Sequence, residues 1–136
     1  MWKLKAAIYA RCASVQSVFN STKKQILSCN EFAKKKGWLL EPGDIYVDCG
    51  NSGINMEDRP ALNSLLKIAK LRPAKFSCVM IDDIARLSRT LKHVLLIADE
   101  LSSSGVFLYF VIEGLDSREK SFHQMLIKKN VDKHPL

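Results

Sequence analysis

The chain has 136 residues, with 21 Lys and Arg against 14 Asp and Glu, a formal net charge of +7 and a pI of about 9.3. That length allows one domain around a single core and leaves too little for two. Its 47% apolar and 26% charged residues are the balance of a soluble globular chain, no apolar run approaches the ~20 residues a bilayer span needs, and no signal-peptide pattern opens the sequence.

Ala6, Ala7, Ile8 and Tyr9 predict a first strand, because a continuous apolar run suits a parallel strand covered on both faces. Ligands of open α/β sheets bind beyond the carboxyl ends of the strands, so Arg11 to Ser14 fall where a site is expected; the plain alternative is an ordinary strand-to-helix loop. Val15 to Asn20 reads as a polar loop. Thr22 with Gln25 three residues later makes a capping box, and a helix follows with Ile26, Cys29, Phe32 and Ala33 on its inner face. Lys34, Lys35 and Lys36 suit the negative end of that helix, and Gly37 stops it.

Pro42 and Gly43 form a turn within Leu39 to Val47, after which Ile45, Tyr46 and Val47 give a second short strand with Asp48 at its tip. Cys49 to Glu57, with Gly50, Asn51, Ser52, Gly53 and Asn55, is a loop by turn chemistry. Asp58 is placed to cap the next helix, Arg59 and Pro60 fall in its first turn, and Leu62, Leu65, Leu66 and Ala69 mark its buried face before Pro73 closes it. Phe76 to Ile81 is a third strand, with IDDIARLSR at its tip. Leu91, Val94, Leu95, Ala98 and Leu101 predict another amphipathic helix, stopped by Ser102 to Gly105. Val106 to Ile112 is a fourth strand, and Phe122, Met125 and Leu126 begin a last helix as core or as a subunit interface.

Alternating strands and helices give an α/β fold, a mainly parallel sheet of four strands, or five, between helical layers. Cys12, Cys29, Cys49 and Cys78 are scattered without CxxC spacing, which argues against zinc and a disulfide framework and for a reducing cytoplasm. The basic excess favours a polyanionic partner such as nucleic acid.

The strand tips gather Arg11 and Ser14 after the first, Asp48 after the second, and Asp83, Arg86 and Arg89 after the third, with Arg59 opening a helix at the same end. Guanidinium groups offer paired donors to phosphate oxygens and stay ionised, so this convergence suits a phosphate without a metal. Arg86 and Arg89, three apart, share a face if their segment is helical. The competing reading pairs them with Asp82, Asp83 or Glu100 on the surface.

YARCAS, Gln25 in STKKQ, YVDCGNSG, DRPAL and ARLSR resemble, in order, the signature blocks of the serine recombinase family, the catalytic domain of resolvases, invertases and large serine integrases, over about Lys3 to Asp116. LDS, Leu115 to Ser117, resembles the entry to that family's long dimerisation helix, which makes 1–116 the catalytic domain and 117–136 the start of that helix. The resemblance implies a three-layer resolvase-like domain that exchanges strands of double-stranded DNA through a 5′-phosphoserine link, as a homodimer and a synaptic tetramer in the full-length protein. It implies no cofactor, no metal and no membrane. Arg11, Arg59, Arg86 and Arg89 match the family's active-site arginines, and Asp48 and Gln25 its supporting polar positions.

Two positions depart from the family pattern. The nucleophilic serine falls on Ala13, with the Ser14 hydroxyl beside it, and the aspartate that usually precedes the first arginine of the last block falls on Ala85, two residues after Asp83. Alanine can neither attack phosphorus nor transfer a proton. The sequence therefore reads as a recombinase catalytic domain inactive as written, or as a DNA-docking or phosphate-binding module of the same fold. A phosphoester-binding enzyme of another α/β family is a weaker reading, since the chain lacks either common glycine-rich phosphate loop.

Overall fold

The computed structural model of the chain describes residues 3–12, 18–49 and 59–129. Strands β1 (Lys5–Cys12), β2 (Leu39–Cys49), β3 (Cys78–Ile81) and β4 (Phe107–Phe110) run parallel, and β5 (Leu115–Asp116) lies antiparallel beside β4. The sheet order is β2-β1-β3-β4-β5. Helices α1 (Val18–Lys36), α2 (Pro60–Ile68), α3 (Ile84–Leu87), α4 (Leu91–Ser102) and α5 (Phe122–Lys128) complete the described chain.

The layers follow from alternation along the strands. Ala6 and Ile8 of β1, with Cys78, Met80 and Phe107, pack on Cys29 and Ala33 of α1. Ala7 and Tyr9, with Val79, Ile81 and Leu108, face the other way onto Leu62 and Leu65 of α2, Val94 and Leu101 of α4, and Phe122 and Leu126 of α5. Each fully buried Val, Leu, Ile, Phe or Met side chain among them contributes on the order of 1.5–3 kcal/mol, so the two faces together hold the sheet. Because β2 and β3 flank β1 and their helices cover opposite faces, the strand order reverses at β1 and β3, and the crevice for a ligand opens at their carboxyl ends.

Several expectations need correction. β1 continues through Cys12, so Arg11 is a strand residue paired in register with Asp48, not part of a loop. α1 begins at Val18, which places Thr22 and Gln25 inside the helix, 7% and 1% exposed, facing inward; a Thr-x-x-Gln spacing cannot by itself tell a first turn from an interior one. Pro42 and Gly43 do not interrupt β2. The register steps from Ala6↔Leu40 to Ile8↔Ile45, an irregularity that an edge strand accommodates because no second neighbour needs the missing proline N–H. The fourth strand ends at Phe110 although Val111 and Ile112 prolong the apolar run. The chain turns over 111–114, with Gly114 at φ 66° and Ile112 65% exposed, and returns as β5.

Phe122 and Leu126 are buried and Met125 packs beside them, so of the two roles open to these residues the core is the one they fill. Residues 130–136 lie outside the described residues, as do Ala13, Ser14, the positions after Cys49 where a loop is expected, and the expected cap Asp58.

Candidate functional site at the carboxyl edge of the sheet

The register ends of the strands set the site. β1 and β3 stop pairing at Tyr9↔Ile81, whereas β1 and β2 continue to Cys12↔Cys49. Beyond Ile81 the edge of β1 is met by a side chain from α1. Gln25 Nε2 donates to the Arg11 carbonyl at 2.8 Å, and the Arg11 N–H donates to Gln25 Oε1 at 3.0 Å. One primary amide thus satisfies both backbone groups of Arg11, which in a strand point the same way.

On the α2 face of the sheet, Asp48 is 5% exposed and fully engaged. Its Oδ1 accepts from the Ala61 N–H at 2.8 Å, and its Oδ2 from the Leu62 N–H at 3.0 Å and from the Tyr9 hydroxyl at 2.9 Å. The carboxylate therefore caps α2 from the end of a strand. Arg59 occupies the N-cap position with no side-chain cap, and Pro60, at N1, has no N–H to offer. Burial, together with the Asp48 charge and hydrogen bond, pushes the Tyr9 phenol well above its usual range and keeps it a donor.

The IDDIARLSR segment forms α3, a single turn whose ends are satisfied from elsewhere. At its start the Asp83 carboxylate accepts from the Ala85 N–H at 2.9 Å, and Glu113 accepts from the Ile84 N–H with both oxygens at 3.3 Å. At its finish the Ile84 carbonyl accepts from the Ser88 N–H at 3.0 Å. Arg11 donates from Nε to the Arg86 carbonyl at 3.1 Å and from Nη2 to the Ala85 carbonyl at 3.4 Å, and Arg59 donates from Nη1 to the Leu87 carbonyl. Two guanidinium groups thus cap the negative end of this turn.

The structure brings the four predicted arginines together and divides them. Arg59 is 2% exposed and Arg11 half-buried, and both brace α3. Arg86 and Arg89 do not share a helix face, because α3 ends at Leu87 and Ser88 is extended. Among the described residues neither of their side chains makes a hydrogen bond or ion pair, and Arg86 Nε is buried without an acceptor. The alternative pairing with surface acids is absent among those residues: Glu100 pairs with Lys70 at 3.4 Å, and Asp83 caps α3. Burial lowers the affinity of Arg11 for its proton, and the charges of Arg59, Arg86 and Arg89 lower it further, so all three stand close enough to repel it.

Such a cationic cluster at the β1/β3 crevice is suited to bind an anion with several oxygens. Asp83 is committed to the start of α3, away from the arginine-capped end. Sequence reasoning missed Glu113, which nothing in its local pattern marks. Burial and the neighbouring Asp83 charge raise its carboxyl to about 7, against the pull of the Ile84 N–H. Among the described residues no cluster of His, Cys, Asp and Glu is arranged to hold a metal ion, and no helix is long and apolar enough to cross a membrane.

Residues 6–129 match the family model described as "Resolvase, N terminal domain". No curated protein matches the sequence. Among solved structures, the chain is similar to the N-terminal catalytic domain of TP901-1 integrase, at 26% identity and a TM-score of 0.74 over 95% of this chain and 94% of that one. It is also similar to a resolvase family site-specific recombinase from Streptococcus pneumoniae, at 25% identity and a TM-score of 0.77 over 96% and 89% of the two chains. A third likeness is to the C-terminal catalytic domain of ISC1926 TnpA, an IS607-like serine recombinase, at 25% identity and a TM-score of 0.69 over 96% and 80%. With nearly the whole described fold covered and the strand-tip arginines gathered at one edge, the chain belongs to the resolvase N-terminal domain family, that of the serine recombinase catalytic domains.

Proposed function

We propose that this chain is the catalytic domain of a site-specific DNA recombinase whose phosphate site is the arginine cluster, and that it holds double-stranded DNA without cutting it. The observation that carries the reading is Arg86, with a buried Nε that has no acceptor among the described residues, at a crevice where the charges of Arg59 and Arg89, like its own, already bear on Arg11. An unmet buried donor costs about 1–3 kcal/mol, which a phosphate oxygen would recover. Similarity to recombinase and integrase catalytic domains supports DNA as the partner. The reading further takes residues 1–116 as the catalytic domain, 117–136 as leading into a dimerisation helix, and a homodimer and synaptic tetramer as the working assemblies.

In this reading Arg86 and Arg89 contact the scissile phosphate, and Arg11 and Arg59 hold α3 so that Arg86 is presented. Gln25 and Asp48 fix the backbones from which Arg11 and Arg59 project. A serine at position 13 would attack phosphorus, displace the 3′ oxygen and keep the bond energy in a 5′-phosphoserine, with fixed positive charge stabilising the equatorial oxygens. Ala13 has no hydroxyl to attack with. The test is Ala13→Ser in the full-length protein with its cognate DNA site: a covalent protein–DNA adduct is expected. A folded, DNA-bound Ala13→Ser protein that forms no adduct would favour the second reading, a non-cleaving DNA- or phosphate-binding module, for which the alanine at position 13 is the supporting observation.

A further inference from the structure

The last residues of β1 and β2 in register are both cysteines, Cys12 and Cys49. Neighbouring strands lie about 4.8 Å apart, inside the ~4.4–6.8 Å Cα separation a disulfide spans. Side chains alternate along a strand, and paired residues in register project to the same face. Ile8 and Ile45 pair on the α1 face, so Cys12 and Cys49, two steps further along the same alternation, return to it together. Cys12 is 1% exposed, whereas Cys49 is exposed, and both are thiols in this structure. β2 is an edge strand with one neighbour, so its end can shift by the fraction of an ångström that a relaxed S–S torsion requires. The other two cysteines, Cys29 and Cys78, are in the core at 0% exposure, and burial raises both thiols, so neither competes for an oxidant.

We infer that Cys12 and Cys49 form a reversible cross-strand disulfide when the chain meets a peroxide, a modification that staples the tips of β1 and β2 immediately before position 13. The inference stands on strand register and is independent of the recombinase reading. Peroxide oxidises the exposed Cys49 thiol to a sulfenic acid, releasing one water. The Cys12 thiol then attacks that sulfur, forming the S–S bond and releasing a second water. The two sulfurs together supply the two electrons that the peroxide accepts. Thioredoxin-type dithiols would reverse it, as expected of a bond in a reducing compartment.

The test treats the folded, reduced chain with hydrogen peroxide, quenches, denatures and labels remaining thiols with a maleimide, followed by peptide mapping. The expected result is monomer that has lost two of its four labels, with a Cys12–Cys49 linked peptide that dithiothreitol dissolves. Cys49→Ser, which changes only an exposed side chain, should retain its three remaining labels at the same dose. Labelling lost through a Cys49–Cys49 link between chains, or a Cys49 sulfinic acid beside an unmodified Cys12, would overturn the inference, as would equal loss of labels in Cys49→Ser.

Discussion

Gln25 and Arg11 are joined twice, by hydrogen bonds of 2.8 and 3.0 Å between one side-chain amide and both backbone groups of the arginine. The pair of bonds anchors α1 to the strand tip that carries Arg11. Gln25→Ala would leave an N–H and a C=O without those partners, at a cost of about 1–3 kcal/mol for each. The expected outcome is a stability about 2–4 kcal/mol lower in urea unfolding, with the hydrogen-exchange protection of the Arg11 amide falling more than that of Ile8. Unchanged protection at Arg11 would show that the bond does not hold the tip in solution.

Asp48 serves three donors, two of them the first N–H groups of α2 available for capping. Asp48→Asn keeps one acceptor but turns an N–H₂ group toward a donor. A loss of about 1–3 kcal/mol is expected, more than an exposed cap would give, because the carboxylate is buried. Tyr9→Phe should cost about 1 kcal/mol and, combined with Asp48→Asn, less than the sum of the two, a coupling that a double-mutant cycle in denaturant measures. The raised Tyr9 value also fixes a sign. The phenol ionises in the unfolded chain from pH 10.0 upward but resists ionisation in the native one. Its contribution to stability is therefore complete below about pH 10 and declines as pH rises beyond it, less steeply in Tyr9→Phe.

These two sites also show what the sequence could and could not reveal. The apolar run of Ala6 to Tyr9 and the helical spacing of Leu62, Leu65 and Leu66 report burial, and burial in a βαβ chain fixes the layers and hence which ends of the strands meet. That is why the arginines could be assigned to one edge. Their roles could not be assigned, because a guanidinium that caps Leu87 and one that awaits a phosphate read the same in sequence. Gln25 looked like a cap because its partner lies across the fold on another element, and Asp48 read only as a strand-tip acid because the helix it caps begins at Pro60, twelve residues further along the sequence. The short return strand β5 has two residues, too few for a periodicity to register.

Glu113 offers a titration that isolates the other end of α3. Its carboxyl is raised to about 7 by burial first and by Asp83 after that, from an ordinary 4.5. The unfolded chain releases this proton at lower pH than the native one. Stability therefore falls as pH rises from about 4.5 to 7, opposite to the trend of a salt-bridged acid. Glu113→Gln, neutral throughout, should flatten that portion of the curve and leave the acid limb in place. A pH profile of unfolding free energy, wild type against variant, checks it; superimposable profiles would mean that burial and Asp83 do not raise the Glu113 carboxyl in the native chain.

The division among the arginines yields the most discriminating set of variants. Arg59 is almost wholly buried and donates to the Leu87 carbonyl, and Arg11 donates to two carbonyls of the same turn. Replacing either by alanine removes the partner of a carbonyl and opens a cavity, so Arg59→Ala should destabilise the fold by roughly 2–4 kcal/mol. Arg59→Lys should recover little, since an ammonium lacks the planar fork that reaches α3. Arg86 and Arg89 carry no such duty among the described residues. Arg89→Ala should unfold within about 0.5 kcal/mol of wild type. Binding of duplex DNA at low salt should weaken in both Arg86→Ala and Arg89→Ala, with the slope of log affinity against log salt falling by about 1 for each phosphate that is no longer neutralised. If the two substitutions instead left DNA binding and its salt slope unchanged, the phosphate would have to lie elsewhere on the basic surface, and the crevice would be a brace for α3 alone.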